Sequence, residues 1–438
     1  MNAKLMTSLF KNILQKIDPT RDLKEIEPLM VSFISKLKKE LINQKVKADV
    51  FIGGSFAKRT MIKKELYDVD VFLRFNKKYN QLDISNMTEK ILKKSLKDNK
   101  KIKRIHGSRD YFQIDFRNEE RNLNFYAEII PVIKISKTKD ALNITDLSLS
   151  HVTYIKKKLK NKKLIDEIRL AKAFCYANKC YGAESYINGF SGYSLELLIL
   201  YYKSFLKFVK EMSKYDSKKG KIIIDSEKLY KNKKDILIDL NQSKTNSPII
   251  LIDPTYKQRN ALAALNKETF DRFVLTCKAF MRNPKISFFE LEKTDLKRIK
   301  ENSTKNKLDF LLLEAKTNKQ EGDIAGSKLF KFYCFLIKEI QKYFILKDKG
   351  FNYNDQKSAR YYFVAIAKKE IVMPGPLISL KEHAEAFEKA HPNYSIKDGR
   401  LRYREKVGFN LKEFISKWKL NNLKKIKDMY IEEIKVMN

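Results

Sequence analysis

The chain has 438 residues, and its 91 Lys and Arg against 53 Asp and Glu give a formal net charge of +38. This excess is larger than solubility requires and indicates a polyanionic partner, although part of it reflects a sequence that is rich in lysine throughout. The four cysteines form no C-x-x-C pair and no apolar run of about 18 residues occurs, which argues against zinc or disulfide frameworks and membrane spans and predicts a reduced, cytoplasmic protein of several domains.

The first predicted elements are a helix and a strand that leads into a glycine turn. Hydrophobic residues recur at helical spacing over 26–41, and 48–52 is a short apolar strand. Gly53-Gly54-Ser55 follows, and a helix is predicted to start near Phe56. Glycines allow backbone N–H groups to approach a phosphate chain closely, and a helix N-terminus adds positive potential. The turn therefore predicts a phosphate-binding loop.

Two aspartates lie on the next predicted strand. Asp68 and Asp70 alternate with valines, so the period of two places both carboxylates on one face. Such a pair can hold Mg²⁺ ions that bridge nucleotide phosphates and an attacking hydroxyl. Each half of the pattern is common alone. Strand, glycine turn, basic helix start and carboxylate strand within about twenty residues together predict nucleotidyl transfer.

This order of elements resembles the signature of polymerase-β-type nucleotidyltransferases. Later blocks resemble those of the archaeal-type (class I) CCA-adding enzymes, in order and most strongly over 45–290. These blocks are RLAKAF at 169–174, YGAE at 181–184, GFSGY at 189–193, IDP at 252–254 with RN at 259–260, and the segment 272–289. The resemblance implies an enzyme that adds C, C and A to the 3′ end of tRNA from CTP and ATP, without a nucleic-acid template and with release of pyrophosphate.

The predicted fold is α+β and multidomain, and the resemblance names its four parts. Residues 1–150 would form the polymerase-β-type head, a mixed sheet with helices, including a helix over 84–96 and strands over 111–116 and 124–130. Residues 151–258 would form a helical neck with helices over 165–178 and 193–210. Residues 290–372 would form an α+β tail, with strands over 308–314 and 359–367 around a helix over 328–347. The α/β body would combine 259–289 with 373–438, which opens at a Pro-Gly-Pro boundary.

A third carboxylate is expected on a neighbouring strand. Glu128 stands where the resembling family carries an Asp before a hydrophobic pair and a proline. Glutamate is one methylene longer, which moves its carboxylate about 1.5 Å further from the strand. Asp115 is the competing candidate. The prediction is that Asp68, Asp70 and Glu128 hold two Mg²⁺ ions and are the catalytic residues.

The resemblance also implies a set of nucleotide-binding residues. Ser55 would contact the triphosphate, His151 the phosphates, and Arg259 the incoming base, although an isolated histidine is more often structural. Lysines on helices are usually solvated, but one on the neck helix lies among apolar residues. The full predicted set is Gly54, Ser55, Lys58, His151, Lys172, Tyr181 and Arg259.

The predicted partners are CTP, ATP and tRNA, contacted at its acceptor end and elbow, with no membrane; a homodimer is left open. Basic runs at 100–104 and 156–163 lie beside the predicted site, where an RNA end must arrive, although such runs are more often solvated faces. Two alternatives stay open from the residues alone. One is a related RNA nucleotidyltransferase of the poly(A) polymerase or oligoadenylate synthetase type. The other is a non-catalytic RNA-binding protein with a relict site.

Overall fold

The computed structural model describes residues 3–96, 102–107, 109–116, 123–216, 218, 220–354 and 356–437. The chain divides into two compact units, Met1–Glu292 and Lys293–Asn438. Lys100 and Lys101 of the first predicted basic run lie outside the described residues. Among the described residues, no helix is both long enough and apolar enough to cross a bilayer.

The first part of unit 1 is a mixed five-stranded sheet with helices. Its elements are α1 Ala3–Lys16, α2 Thr20–Asn43, β1 Ala48–Ile52, α3 Gly54–Lys58, β2 Tyr67–Phe75, α4 Ile84–Leu96, β3 Ile102–Ile105, β4 Tyr111–Asp115 and β5 Phe125–Ile133. The strand order is β1-β2-β5-β4-β3, and β2 runs parallel to β5 while the other pairs are antiparallel. The predicted mixed sheet with helices is confirmed.

One face of this sheet packs against helices, and the opposite face carries the predicted catalytic aspartates. Helix α2 buries Ile26, Met30, Phe33, Leu37 and Leu41, the stripe that helical spacing predicts. These side chains share a core with α4 and with the inward-facing residues of β2. Because side chains alternate along a strand, the aspartates of β2 face away from this core.

The rest of unit 1 is mainly helical. Its elements are α5 Ser148–Lys158, α6 Lys162–Ala177, α7 Gly192–Tyr202, α8 Phe205–Ser213, β6 Ile222–Ile224, α9 Lys233–Asp239, α10 Gln242–Thr245, β7 Ile249–Asp253, β8 Tyr256–Asn260 and α11 Lys267–Arg282. Strands β6, β7 and β8 form a small sheet in that order. Phe174 on α6 packs edge-on against Phe273 and Phe280 on α11, at ring-centroid distances of 6.0 and 5.5 Å. Residues 259–289 therefore share the core of the predicted neck.

The helix predicted over 193–210 is interrupted. Helix α7 ends at Tyr202, and Lys203 adopts a left-handed conformation with φ 65°. Ser204 then caps α8, because its side chain accepts a hydrogen bond from the Lys207 amide. Phe205 consequently begins a second helix and does not continue the apolar face of the first.

Unit 2 contains two antiparallel sheets and several helices. Its elements are α12 Leu296–Lys305, β9 Asp309–Thr317, α13 Asp323–Tyr343, β10 Phe344–Tyr353, β11 Ser358–Ala367, β12 Glu370–Leu377, α14 Lys381–Ala390, β13 Ser395–Lys397, β14 Arg400–Lys406, α15 Leu411–Asn421, α16 Leu423–Asp428 and β15 Ile431–Met437. The sheet orders are β10-β11-β9-β15 and β12-β14-β13. The predicted strand–helix–strand order is present, but α13 ends at Tyr343 because β10 begins at the next residue.

The predicted body is divided between the two units. Strand β15 pairs with β9 through Ile431↔Thr317 and onward, and Trp418 on α15 packs against Phe332 on α13 with ring centroids 6.4 Å apart. The last segment of the chain therefore completes the core of the predicted tail. It is not grouped with 259–289, which belongs to unit 1.

Candidate active site

The proposed catalytic carboxylates are neighbours across two parallel strands. In the register of β2 and β5, Asp70 lies opposite Glu128, and Asp68 lies opposite Tyr126. Val69 lies between the two aspartates and Val71 follows the second, and both valine side chains are fully buried on the opposite face. The sheet thus places Asp68, Asp70 and Glu128 on one face.

The glycine turn lies directly against Asp70. The Gly53 amide donates a hydrogen bond of 2.9 Å to the Asp70 carbonyl oxygen. Gly54 has φ 55°, and a Cβ at this position would overlap the Asp70 carboxylate. Glycine is therefore required here for both conformation and space. The helix that follows begins at Gly54, two residues earlier than predicted, and ends at Lys58, because Arg59 is left-handed.

Asp70 and Glu128 are poorly compensated carboxylates. Burial, together with the neighbouring Asp68, raises the pKa of Asp70 to about 7. Burial and the two aspartates raise the pKa of Glu128 to about 8. A hydrogen bond of 2.8 Å that Gln113 Nε2 donates to Glu128 Oε1 acts in the opposite direction. Crowded carboxylates of this kind are stabilised by an added cation.

The donor set fits Mg²⁺, which prefers carboxylate oxygens. In the part of the chain that the structure describes, no three carboxylate, imidazole or thiol side chains already converge closely enough to share one ion. Metal binding through all three carboxylates would therefore require side-chain rotation at Asp68 or Glu128. Lys64 Nζ lies 3.6 Å from Asp68 Oδ1, so this ammonium group competes for the same carboxylate.

Asp115, the competing candidate for the third carboxylate, lies one strand further away. On β4 it is opposite Tyr126 of β5, and its side chain is exposed. Asp115 lies on the same face of the sheet as Asp68 and Asp70, but Tyr126 stands between it and Asp68 in the register. Strand β5, which adjoins β2, places Glu128 directly opposite Asp70.

A cleft beside Asp68 and Asp70 brings three predicted nucleotide-binding residues together. It is lined by Ser55, Thr60, Met61, Ile62, Lys64, Lys172 and Tyr181. The Thr60 amide donates to the Ser55 carbonyl oxygen at 3.0 Å, which closes the loop after α3. The Lys64 ammonium lies 5.5 Å from the centre of the Tyr181 ring.

Lys58 and Lys172 meet on one buried carboxylate, Glu196 of α7. Lys58 Nζ is 2.6 Å from Glu196 Oε2, and Lys172 Nζ is 2.9 Å from Glu196 Oε1. Burial alone would raise the pKa of Glu196, but Lys172 and Lys58 lower it to about 2. Burial lowers the pKa of Lys172 to about 8, although Glu196 opposes the change. The two lysines are thus held in place by the protein itself.

Arg259 and His151 meet on a second buried carboxylate, Asp253. Arg259 donates to Asp253 Oδ2 at 2.7 Å, and His151 Nε2 lies 3.1 Å from the same oxygen without a well-aligned hydrogen bond. Burial alone would raise the pKa of Asp253, but His151 and Arg259 lower it well below its usual range. The structure therefore places His151 with the predicted base-reading arginine.

Tyr193 lies between the two groups. Its hydroxyl donates to Asp253 Oδ1 at 3.0 Å, and its ring stacks on His151 with centroids 4.2 Å apart. Lys58 Nζ and Arg259 Cζ lie 5.8 and 5.7 Å from the centre of the same ring. Tyr193 thus lies between the lysine group on Glu196 and the Arg259–His151 group on Asp253.

Sequence reasoning missed the residues that hold these side chains. Glu196, Gln113 and Lys64 were not singled out, and Asp253 was noted only as part of a matching block. Glu196 offered a signal, because it is the one charge in an otherwise apolar stretch, Leu195 to Leu200. Arg104 in the basic run at 100–104 is paired with Asp110 and Glu89, so it supports the local fold.

The chain is similar to known proteins in sequence and in fold. The family model described as tRNA nucleotidyltransferase, second domain, matches residues 166–290. The CCA-adding enzyme of Nanoarchaeum equitans is 32% identical over 358 residues, which cover 81% of this chain and 82% of that protein. The CCA-adding enzyme of Methanocaldococcus jannaschii is 29% identical over 401 residues, which cover 90% of this chain and 86% of that protein.

Among solved structures, the chain is similar to the Cid1 poly (U) polymerase in its MgGTP-bound form. The TM-score is 0.52 with 11% identity, and the match covers 67% of this chain and 100% of that one. A likeness at this identity establishes the nucleotidyltransferase fold and nothing finer. The extent of the sequence match to the archaeal enzymes goes further: this chain belongs to the family of CCA-adding enzymes, which are tRNA nucleotidyltransferases.

Proposed function

We propose that this protein adds C, C and A to the 3′ end of tRNA, using CTP and ATP, with Asp68, Asp70 and Glu128 as the ligands of two Mg²⁺ ions. One observation supports the assignment most directly. Asp70 and Glu128 are paired in the register of parallel strands, and the phosphate-binding turn touches Asp70 through Gly53 and Gly54. The carboxylates and the turn are thus held at one place by the sheet.

The chemistry follows from charge. Mg²⁺ ions held by Asp68, Asp70 and Glu128 would supply Lewis acidity, to lower the pKa of the tRNA 3′-hydroxyl, and positive charge, to offset that of the departing pyrophosphate. The protein's own contribution is to present carboxylate oxygens on a rigid sheet and donors around the phosphates. Ser55 would donate from its hydroxyl and amide, and Lys58 and Lys172 would offset phosphate charge. Positioning and electrostatics then provide the acceleration, and no protein nucleophile is needed.

Arg259 would select the incoming base. Its guanidinium is one-quarter exposed and is anchored by Asp253, so its remaining donors are available to a ligand. The acceptors on cytosine match a fork of donors. Tyr181 would contact the sugar and phosphates from the cleft that also contains Ser55 and Lys172.

The tRNA would bind through the excess of basic residues. We assign the acceptor end to the head and neck, where the exposed Lys156 and Lys157 lie in the last turn of α5. We assign the elbow to the tail over 290–372. Of the basic run at 100–104, the described Lys103 and Arg104 lie on β3. A cytoplasmic location suits a tRNA-processing enzyme and the free cysteines of the described residues; homodimer formation stays a prediction.

A series of three tRNA substrates tests this function. Transcripts that lack CCA, CA or A are incubated with Mg²⁺ and with one nucleotide at a time. We expect the first to accept two C residues, the second one C, and the third one A. Addition of A alone to varied RNAs would instead indicate a poly(A)-type polymerase. RNA binding without incorporation would indicate a relict site.

A further inference from the structure

We propose that Glu196 is a positioning residue: its carboxylate holds Lys58 and Lys172 together as a cationic pair for the phosphate chain of the nucleotide. The inference rests on the proposed function, because it takes both lysines as phosphate contacts. It adds a residue from an apolar helix that resemblance and motif did not identify.

The contacts join three separate segments at one point. Lys58 comes from the end of α3, Lys172 from α6 and Glu196 from α7, and the two lysines take different carboxylate oxygens, at 2.6 and 2.9 Å. The side chains are 7%, 2% and 0% exposed, respectively. A carboxylate that binds one lysine through each oxygen fixes both ammonium groups relative to each other.

The charge of the group is not balanced within it. Two lysines and one glutamate leave one positive charge in a buried setting, where an uncompensated charge is costly. A single lysine would have satisfied Glu196. Because Lys172 also lines the cleft that contains Ser55 and Tyr181, the surplus charge lies where an anionic ligand can reach it. Both lysines also act electrostatically on Asp70, so the group lies close to the proposed catalytic aspartates.

Thr60 connects the group to the phosphate-binding loop. Its hydroxyl donates to Glu196 Oε1 at 2.6 Å and accepts from Lys172 Nζ at 2.8 Å. Its amide donates to the carbonyl oxygen of Ser55. The position of Ser55 is thus tied through one residue to the lysine pair, and a change at Glu196 should act on the phosphate end of the nucleotide.

The test is binding of inorganic tripolyphosphate, CTP and ATP to the full-length Glu196→Gln protein, measured by titration calorimetry without tRNA. Glutamine keeps the shape but turns a donor toward one ammonium group. We expect all three ligands to bind roughly 10- to 100-fold more weakly, in the same proportion, because the two ammonium groups are no longer held together by one carboxylate. In turnover, KM for CTP and ATP should rise together, whereas a merely structural defect would lower kcat through a smaller active fraction.

Lysine variants separate this inference from the function on which it rests. Lys58→Met and Lys172→Met should each weaken tripolyphosphate binding. If both bind it as the wild type does, the phosphate assignment itself is wrong. If they weaken binding but Glu196→Gln does not, only the positioning role is wrong.

A milder pair of variants covers the case in which Glu196→Gln does not fold. Thr60→Val is nearly isosteric and leaves both ion pairs, but it removes the hydroxyl that joins Lys172 to Glu196. We expect tripolyphosphate binding to weaken about threefold to tenfold, as for loss of one hydrogen bond. Thr60→Ser should restore it. Wild-type binding by Thr60→Val would overturn the connection through Thr60 between the lysine pair and the phosphate-binding loop.

Discussion

Two pairs of buried or partly buried carboxylates in unit 1 differ in what surrounds them. Burial pushes the pKa of all four upward, and for Asp70 and Glu128 the neighbouring carboxylates push it further, to about 7 and about 8. For Glu196 and Asp253, basic neighbours reverse the effect; the pKa of Glu196 falls to about 2 and that of Asp253 falls well below its usual range. As the proposed function requires, we expect the first pair to bind a cation from outside and the second pair to hold cationic side chains for a ligand.

The largest difference between the two pairs is expected in stability without metal at pH 8. Glu196 has a depressed pKa, so its contribution is complete above the unfolded value and is lost only as the pH falls toward 2. Glu196→Gln should therefore cost about 3–5 kcal/mol, as for a broken buried ion pair. Asp70 has a raised pKa, and its contribution is lost as the pH rises through about 7. Asp70→Asn should consequently keep or raise the free energy of unfolding in EDTA.

Chemical denaturation of both variants at pH 8 with EDTA is the measurement. The same experiment at pH 5 is the control, since Asp70 is then protonated and Asp70→Asn should approach the wild type. A loss of stability in Asp70→Asn as large as that in Glu196→Gln would show that the two sites do not differ in the way described.

The second prediction concerns the rate of transfer. Glu128→Gln should lower the single-turnover rate of C addition at least ~100-fold at saturating Mg²⁺ and CTP, because a metal ligand is weakened. tRNA and nucleotide affinity should stay within a few fold. Asp115→Asn, on the same face but beyond Tyr126, is the matched control and should be nearly silent. Wild-type rates in Glu128→Gln with a collapse in Asp115→Asn would move the site to β4.

Glu128→Asp tests the same assignment, because it introduces the residue that the resemblance led us to expect at this position. The shorter side chain also moves away from Gln113, whose amide now bonds to Glu128 Oε1. Activity should persist if the backbone tolerates the shorter reach and should fall if the strand is adapted to glutamate. Measured Mg²⁺ affinity distinguishes the two results from a general folding defect.

A third prediction separates the two ends of the nucleotide site. Arg259→Ala should weaken selection between CTP and other nucleotides about tenfold, as expected for loss of donors to a base, and should leave tRNA binding nearly intact. Competition between CTP and UTP in C addition is the measurement. Asp253→Asn, which releases Arg259, should shift the same ratio in the same direction. Equal loss of tRNA binding in Arg259→Ala would mean that this arginine contacts the RNA.

The smallest effect is expected in the pH dependence of metal binding. Because the pKa values of Asp70 and Glu128 are raised, protons compete with Mg²⁺ below about pH 7 to 8. Apparent Mg²⁺ affinity should therefore increase several-fold between pH 6 and pH 8 and then level off. Glu128→Gln should flatten this dependence, and an equally steep profile in that variant would assign the competing protons to other groups.

Local patterns were sufficient to predict the head but not the distant contacts. The apolar stripe of α2 and the alternation around Asp68 and Asp70 are periodic, so their elements and faces followed directly. The break after Tyr202 depends on one left-handed residue and one serine cap, which periodicity does not register. Pairing of β15 with β9 joins residues more than a hundred positions apart, and no local signal encodes it.

The candidate site shows the same division. Asp70 and Glu128 could be proposed from motif and resemblance, and the register places them side by side. The contacts of Glu196 with the two lysines could not be predicted in this way, because Lys58 and Glu196 are 138 residues apart in the sequence. Only the fold reveals that the lone glutamate of an apolar helix has two lysine partners.

The parallel register of β2 and β5 has a consequence for how this enzyme becomes active. Side chains alternate along a strand, so a slip of one residue would turn Glu128 into the core and present Ala127 or Ile129 beside Asp70. A carboxylate among the buried valines of β2 would be strongly disfavoured. Chains with a shifted register should therefore be unstable and should not accumulate as inactive enzyme. A sheet that folds stably thus also has its carboxylates in place for catalysis.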